Sequence, residues 1–434
     1  MTSHVIGILG ILLMLFMMFV IRTPVAFAMM IAGFAGYWVI LDINAAYSML
    51  GTELWEILSS YGLTIIPLFI FMGQVAFRSG ISKKLYNAAY AWFGSVKGGL
   101  AMSTIISCAG FSAICGSNSA TAATMMSVAM PEMEKYKYNP ILSTGSIACG
   151  STLGAVIPPS VVLIVIGLST GLSISKLFYG SIVAGIILTL LFIATIYVLY
   201  IIYPSWAPKA AETSFSEKMR TLPGTIDTLI LFITVMGGLY FGVFTAVEAG
   251  AAGSAGAVIL GIIRKSFPLK AFYAAVADTL KVSCMVISII AGAVIFGKFL
   301  ALTRIPFDVA AWVSSLPLSN SLIIVSILLI CALGGTFMDA LALLLIAIPV
   351  FYPVAISMGY DPIWFSVLLT VVTTLGAVTP PVGATAFVVA GMAPHISLKD
   401  IFKGVSFFIP AYMVCIAILI LFPKIITVLP NLIH

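Results

Sequence analysis

Apolar runs of about 20 residues recur along the whole chain, the length a helix needs to cross roughly 30 Å of hydrocarbon. They fall near residues 5–21, 24–41 and 62–80 and, past a short amphipathic stretch at 83–93, at 98–130, 140–170 and 175–203. After a polar interval they resume at 225–243, 247–263, 282–302, 319–357, 361–391 and 404–423. The short alternating segments of a transmembrane β-barrel are missing. The first run, Val5 to Ile21, has no basic segment ahead of it, and Arg22-Thr23-Pro24 leads at once into another apolar run. It is expected to be a retained span and not a signal peptide.

Composition narrows the class. Hydrophobic residues make up 62 % of the chain and charged residues 8 %, against about 25 % charged in a soluble domain. The solvent must be lipid, and the expected fold is an all-α polytopic membrane protein. The net charge of +6 is spread over short loops, as an orientation signal would be, and does not suggest nucleic acid. Cys108, Cys115, Cys149, Cys284, Cys331 and Cys415 sit in apolar stretches without a CxxC pair. They read as small buried hydrophobes, not as a disulfide or metal framework.

The longest polar stretch, Pro204 to Gly224, falls near the middle. It is expected to be a linker, 204–224, between a first repeat at 1–203 and a second at 225–434. Leu153-Gly154-Ala155-Val156-Ile157-Pro158-Pro159 matches Leu375-Gly376-Ala377-Val378-Thr379-Pro380-Pro381 at an offset of 222, with six of seven residues identical. Tyr138-Asn139-Pro140-Ile141 matches Tyr360-Asp361-Pro362-Ile363 at the same offset. Ser173 to Gly180 matches Ser397 to Gly404 after a two-residue slip. Three blocks in one order imply an internal duplication.

One segment in each half is apolar but interrupted: 98–130 at Gly116-Ser117-Asn118-Ser119, and 319–357 near Gly334-Gly335-Thr336. Each is either a span or a hairpin that enters and leaves on one side. As hairpins they leave five full spans per half, so the second copy is inverted. With a cytoplasmic linker, 16 of the 20 Lys and Arg then fall inside, Lys209 included, and only Lys176, Lys298, Arg304 and Lys424 fall outside. The positive-inside rule asks for this split. As spans, they would place Lys135 and Lys137 opposite Lys83, Lys84 and Lys97. The expectation is ten transmembrane helices and two re-entrant hairpins, 98–130 and 319–357, with broken helices at 140–170 and 361–391.

Broken helices at membrane depth are the main chemical signal. Two successive prolines cannot continue a helix, and every freed N–H and C=O must find a partner in hydrocarbon. Such breaks persist where protein buries them or where they line a wet cavity. Freed carbonyls coordinate cations, and the N–H groups of the next half-helix hold anions. Pro158-Pro159-Ser160 and Pro380-Pro381-Val382-Gly383 are such breaks, with kinks that only shape packing as the plainer reading. The tip Gly116-Ser117-Asn118-Ser119-Ala120-Thr121 is a dense set of hard oxygens suited to an alkali cation, or else small residues for close helix packing. Asp339 aligns with Ser117 at the 222-residue offset. A carboxylate at the centre of a span costs about 2.5–3.5 kcal/mol and is a functional suspect; a helix-capping Asp in a wet vestibule is the alternative.

The other acids carry less. Asp42, Glu53 and Glu56 are expected in the first outer loop. Glu132, Glu134, Glu212 and Glu217 are expected on the cytoplasmic side, and Glu248 at the outer start of a span. Lys298 and Arg304 either meet an anion or snorkel. Enzyme readings fail. The histidines are His4, His395 and His434, there is no HExxH, and the GxSxG match at Gly167 to Gly171 has neither a strand-turn-helix setting nor a His partner. No GxxxxGK[ST] loop is present, so ATP is not the local energy source.

Arg22-Thr23-Pro24-Val25-Ala26-Phe27, Ile66-Pro67-Leu68-Phe69-Ile70-Phe71-Met72-Gly73, the GSNSATAAT tip, Val156-Ile157-Pro158-Pro159-Ser160, Gly335-Thr336-Phe337-Met338-Asp339 and Thr379-Pro380-Pro381-Val382-Gly383 occur in this order. Together they resemble the large membrane subunit of tripartite ATP-independent periplasmic (TRAP) transporters, over nearly the whole chain. The resemblance implies sodium-driven uptake of a small organic anion, usually a carboxylate, across a bacterial or archaeal inner membrane. It implies two partners: a small four-helix membrane subunit and a periplasmic substrate-binding protein. It also implies an elevator, no cofactor beyond sodium, and no enzyme activity. On this footing Gly116, Ser117, Asn118 and Ser119 join Thr152, Leu153 and Gly154 at one sodium site. Asp339 joins Gly376 and Thr379 at a second. The anion lies between, against Pro159, Ser160, Pro381, Val382 and Gly383. Asn118 departs from the Ser or Ala common in the family, and Leu343 from a polar neighbour in some relatives. Two other readings stay open: a stand-alone sodium/carboxylate symporter or antiporter, and a non-transporting scaffold or channel subunit.

Overall fold

The computed structural model describes residues 3–208, 214–305, 308, 311 and 319–432. Lys209, Glu212 and His434 lie outside them. Among the described residues every regular element is a helix. Among the described residues seven helices are long and apolar enough to cross a membrane, or eight if the bent pair Phe215–Gly224 and Ile226–Tyr240 is one span. Other apolar helices are shorter. Val25–Ile40, with 16 residues, reaches only about 24 Å at 1.5 Å per residue.

Two stretches differ from the pattern reading. The expected outer loop holding Glu53 and Glu56 is a 17-residue helix, Ile43–Ser59, capped by Asp42, whose carboxylate accepts from Ala45 N at 2.9 Å. Its inward residues, Ala46, Met49, Glu53 and Ile57, recur at three- and four-residue steps, a stripe that Glu53 within it and Glu56 beside it hid. The span expected at 282–302 begins thirteen residues earlier, as the 35-residue helix Leu269–Thr303. Lys270, Asp278 and Lys281 lie in its first half, and hydropathy alone reads them as loop.

The broken helices form the centre. The window of Pro140–Thr170 is 89 % buried, against 33 % for Ile174–Ile202 and for Ala246–Ile263, which expose apolar side chains outward. Around this centre Val25–Ile40 lies along Leu269–Thr303, and Ala246–Ile263 lies along Ile65–Arg78. The first pair meets backbone to backbone: a Cβ on Gly292 would stand 2.5 Å from the Ala26 carbonyl oxygen. Small residues allow such approach where lipid offers no hydrophobic drive between helices.

Ion pairs tie distant helix ends. Asp227, 1 % exposed, accepts from Arg264 at 2.9 Å and lies 3.6 Å from Lys84 Nζ. Arg78 pairs with Asp278. Lys298 Nζ lies 2.8 Å from Glu53, so this cation is matched within the chain. Arg304 ends its helix in the left-handed region at φ +60°.

Candidate functional site: two hairpin tips in two helix breaks

The first interrupted segment folds as Gly99–Cys115 and Asn118–Lys135, the second as Asn320–Gly335 and Ala340–Ser357. The first break separates Leu153–Val156 from Val161–Thr170, and the second separates Pro362–Gly376 from Ala384–Met392. Each tip is wedged against a break. Gly116 turns the chain at φ +61°, and its carbonyl accepts from Val161 N at 3.3 Å. A Cβ on Gly154 would stand 2.8 Å from the Ser117 carbonyl oxygen. In the second half a Cβ on Gly376 would stand 2.5 Å from Gly335 Cα. There the Thr336 carbonyl accepts from both Val382 N and Gly383 N at 3.1 Å. The freed backbone groups of the breaks are thus partly satisfied by the hairpins.

A cleft of about 560 Å³ opens between the tips. Its polar lining is Gln74, Ser117, Asn118, Ser119 and Asp339. Four helices begin at its wall, at Asn118, Val161, Ala340 and Ala384, with 18, 10, 18 and 9 residues. Their positive ends favour an anion. Asp339 is the one carboxylate on the wall among the described residues, and its Oδ2 accepts from Leu341 N at 3.1 Å. Asn118 is 8 % exposed, and its Oδ1 has no hydrogen-bond partner. Hard neutral oxygens with one carboxylate suit a hard, weakly charged cation better than a transition metal. Among the described residues no three His, Cys, Asp or Glu side chains are grouped as a metal site.

The structure divides the residues singled out from the sequence. Gly116, Ser117, Asn118, Ser119 and Asp339 line the cleft. Gly154 and Gly376 stand behind the tips as contact points. The hydroxyl of Thr152 goes to the Cys149 carbonyl at 2.6 Å and to Tyr412, and that of Thr379 goes to the Leu375 carbonyl at 2.6 Å. Pro159 and Ser160 are buried beneath the first tip, with Ser160 Oγ donating to Ala155 O at 2.7 Å. Val161 and Val162 reach the cleft in their place. Likewise Ala384 and Val388 line it instead of Pro381, Val382 and Gly383. Backbone turns aim the half-helices at the cleft, but the side chains on its wall are those that follow the turn. Lys298 and Arg304 do not line it. Gln74 escaped the sequence reading, although a polar side chain in the middle of the apolar helix Ile65–Arg78 is itself a signal.

Comparison with known proteins agrees with this architecture. A family model described as "Tripartite ATP-independent periplasmic transporter, DctM component" matches residues 12–425. The C4-dicarboxylate TRAP transporter large permease protein DctM of Pseudomonas aeruginosa is 30 % identical over 344 residues, 79 % of this chain and 80 % of that protein. The isethionate TRAP transporter permease protein DctMQ of Oleidesulfovibrio alaskensis is 32 % identical over 77 % of this chain and 53 % of its own length. The crystal structure of the Alcanivorax borkumensis YdaH transporter shares the fold, with a TM-score of 0.69 at 15 % identity over 96 % of this chain and 98 % of that one. This chain belongs to the DctM component family, the large permeases of tripartite ATP-independent periplasmic transporters.

Proposed function

We propose that this chain is the permease subunit of a sodium-coupled importer that carries a small organic anion, a carboxylate, across the cytoplasmic membrane of a bacterial or archaeal cell. A periplasmic binding protein delivers the anion, and a small four-helix membrane subunit completes the complex. The observation that carries this reading is the cleft. Four positive helix ends meet there, with no Lys or Arg on the wall among the described residues, beside one carboxylate and a set of neutral oxygens. The helix ends suit the anion, and Asp339 with Ser117, Asn118 and Ser119 suits sodium. A dianion entering a negative-inside cell works against about 2.3 kcal/mol per charge per 100 mV, and more than two sodium ions would reverse that sign. The relatives named above take a dicarboxylate and a sulfonate, and identity near 30 % to each does not choose between them. The carboxylate is therefore a proposal about class.

The inverted two-repeat topology with re-entrant hairpins is part of this reading. Lys84 precedes the first hairpin and Asp227 follows it, yet they pair. Glu134 precedes the second hairpin and His395 follows it, and they pair too. Either pairing would be broken if one interrupted segment crossed the membrane. The helix pairings support inversion: at the 222-residue offset Val25–Ile40 corresponds to Ala246–Ile263, and Ile65–Arg78 to the end of Leu269–Thr303, and each packed pair runs parallel, with Ala26 at Gly292 and Gly36 at Phe299, and Leu68 at Gly250 and Met72 at Gly253. The close backbone contacts between tips and breaks support an elevator, in which they move together and slide past side chains such as Val282 and Ile289.

The test is uptake into proteoliposomes with the partner proteins added, under a sodium gradient and under choline. Sodium-dependent uptake that falls at least tenfold in Asp339→Asn and Ser117→Ala is expected. Undiminished uptake without sodium would discard the coupling, and transport by the purified chain alone would discard the partners.

A further inference from the structure

The wall of the cleft is built from two unlike sets of elements. Ser117, Asn118, Ser119 and Asp339 all stand at the hairpin tips, beside the four helix starts. A second part of the wall comes from two long helices. Leu269–Thr303 supplies Val282, Met285, Val286 and Ile289 from one helical face, and Ile65–Arg78 supplies Ile70 and Gln74. In this second set Gln74 alone is polar. It is half-buried, and among the described residues its carboxamide has no hydrogen-bond partner. Its backbone is held firmly. The preceding Gly73 stands against the first tip, where a Cβ would lie 2.9 Å from Cys115 Cα, and Met72 and Val75 are buried. A glutamine in the apolar part of a membrane helix carries a desolvation cost. A leucine would fill the same space without that cost.

We propose that Gln74 is a specificity-determining residue that hydrogen-bonds a second polar group of the transported anion; the proposal rests on the organic-anion reading above and narrows its substrate class. The charged head of the anion lies at the tips, where the helix starts gather. Its short carbon chain lies along Val282, Val286 and Ile289, which offer apolar contact. The far group meets Gln74. A carboxamide has two donors and one acceptor. It therefore takes a second carboxylate by donating to it, and a hydroxyl by donating or accepting. The substrate class is a small anion with two oxygen-bearing groups, a dicarboxylate or a hydroxylated carboxylate or sulfonate, and not a simple alkanoate. Discrimination arises because a monofunctional anion would leave the amide unpaired beside an alkyl end.

Two matched pairs of probes test this: succinate with butyrate, and isethionate with ethanesulfonate. The members of each pair differ only in the far group. Each probe is titrated into the detergent-purified chain in saturating NaCl, and the midpoint of thermal stabilisation is read. In the unaltered chain a bifunctional probe is expected to bind about 5-fold or more tightly than its partner, one hydrogen bond's worth. Gln74→Leu should erase that difference by weakening the bifunctional probe and leaving the monofunctional one unchanged or tighter. Gln74→Glu should disfavour succinate relative to isethionate, whose hydroxyl can donate to the new carboxylate. A glutamine with a purely structural role would produce no such split. Equal binding within both pairs overturns the role of Gln74 and leaves the anion reading in place, as does a Gln74→Leu chain that binds both members of a pair equally more weakly. A chain that none of the four probes stabilises overturns the anion reading and this proposal together.

Discussion

Glu134 Oε1 lies 2.8 Å from His395 Nε2, although 261 positions separate them. Glu134 lies at the end of the outgoing arm of the first hairpin, and His395 follows the second broken helix. The contact holds the free end of one half's hairpin against the far end of the other half's broken helix. Such a join is available only if both ends lie on one face of the protein.

Side-specific labelling follows from that contact. Cysteine placed at Glu134 or at His395 should react with a membrane-impermeant maleimide from the cytoplasmic side, as cysteine at Lys218 should. The exposed Cys284 must first be replaced by serine. Reaction of one site from the outer side would remove the re-entrant hairpins.

Asp339 serves two purposes that substitution can separate. Its carboxylate caps the Ala340–Ser357 helix through Leu341 N, and it faces the cleft. Asn keeps the cap and removes the charge. Asp339→Asn should therefore melt near the unaltered temperature but lose most sodium-induced stabilisation. Asp339→Ala should lose about 1 kcal/mol more, the worth of a helix cap. A full sodium response in Asp339→Asn would exclude the carboxylate as a ligand.

The contact of Gly376 with Gly335 leaves no room for a side chain. Gly376→Ala puts a methyl 2.5 Å from Gly335 Cα, backbone that has to shift. A loss of about 1–3 kcal/mol is expected, read as a lower Tm in detergent. Gly391 offers the control, with nothing within 4 Å. Gly391→Ala, next to the last residue of Ala384–Met392, should be neutral or gain at most about 0.5 kcal/mol.

The Asp227 cluster predicts an asymmetry. The carboxylate is buried, at 1 % exposure, whereas Lys84 and Arg264 are 37 % and 44 % exposed. Asp227→Asn leaves cations that water can reach and should cost about 1–2 kcal/mol. Arg264→Ala strands a buried charge on the more distant Lys84 and should cost more, about 3 kcal/mol. Thermal unfolding of both variants checks the order, and the reverse order would mean that the carboxylate is hydrated.

Much of the frame was legible because each feature has a local cause. Proline pairs stop helices wherever they stand, and Gly116-Ser117 and Thr336 to Asp339 interrupt apolar runs in any context. The helix Ile43–Ser59 was not legible as a span or core element. Its apolar stripe is narrow, and its buried Glu53 makes sense only beside Lys298, 245 positions away. For the same reason Ser160 reads as a ligand in sequence but spends its hydroxyl on Ala155.

The sequence by itself determined the solvent, the broken helices, the paired tips and the family, because hydropathy, proline geometry and motif order act over short stretches of chain. It also singled out Asp339 and Ser117 as unlike groups at equivalent tips. Only the tertiary structure decided which of these groups share a cleft, that Val161 and Ala384 stand where the break residues were expected, and that Ser160 gives its hydroxyl to Ala155. Those outcomes depend on which backbones approach closely enough to exclude a Cβ and on where a hydroxyl's single proton goes. Neither quantity is defined until helices distant in sequence are packed together.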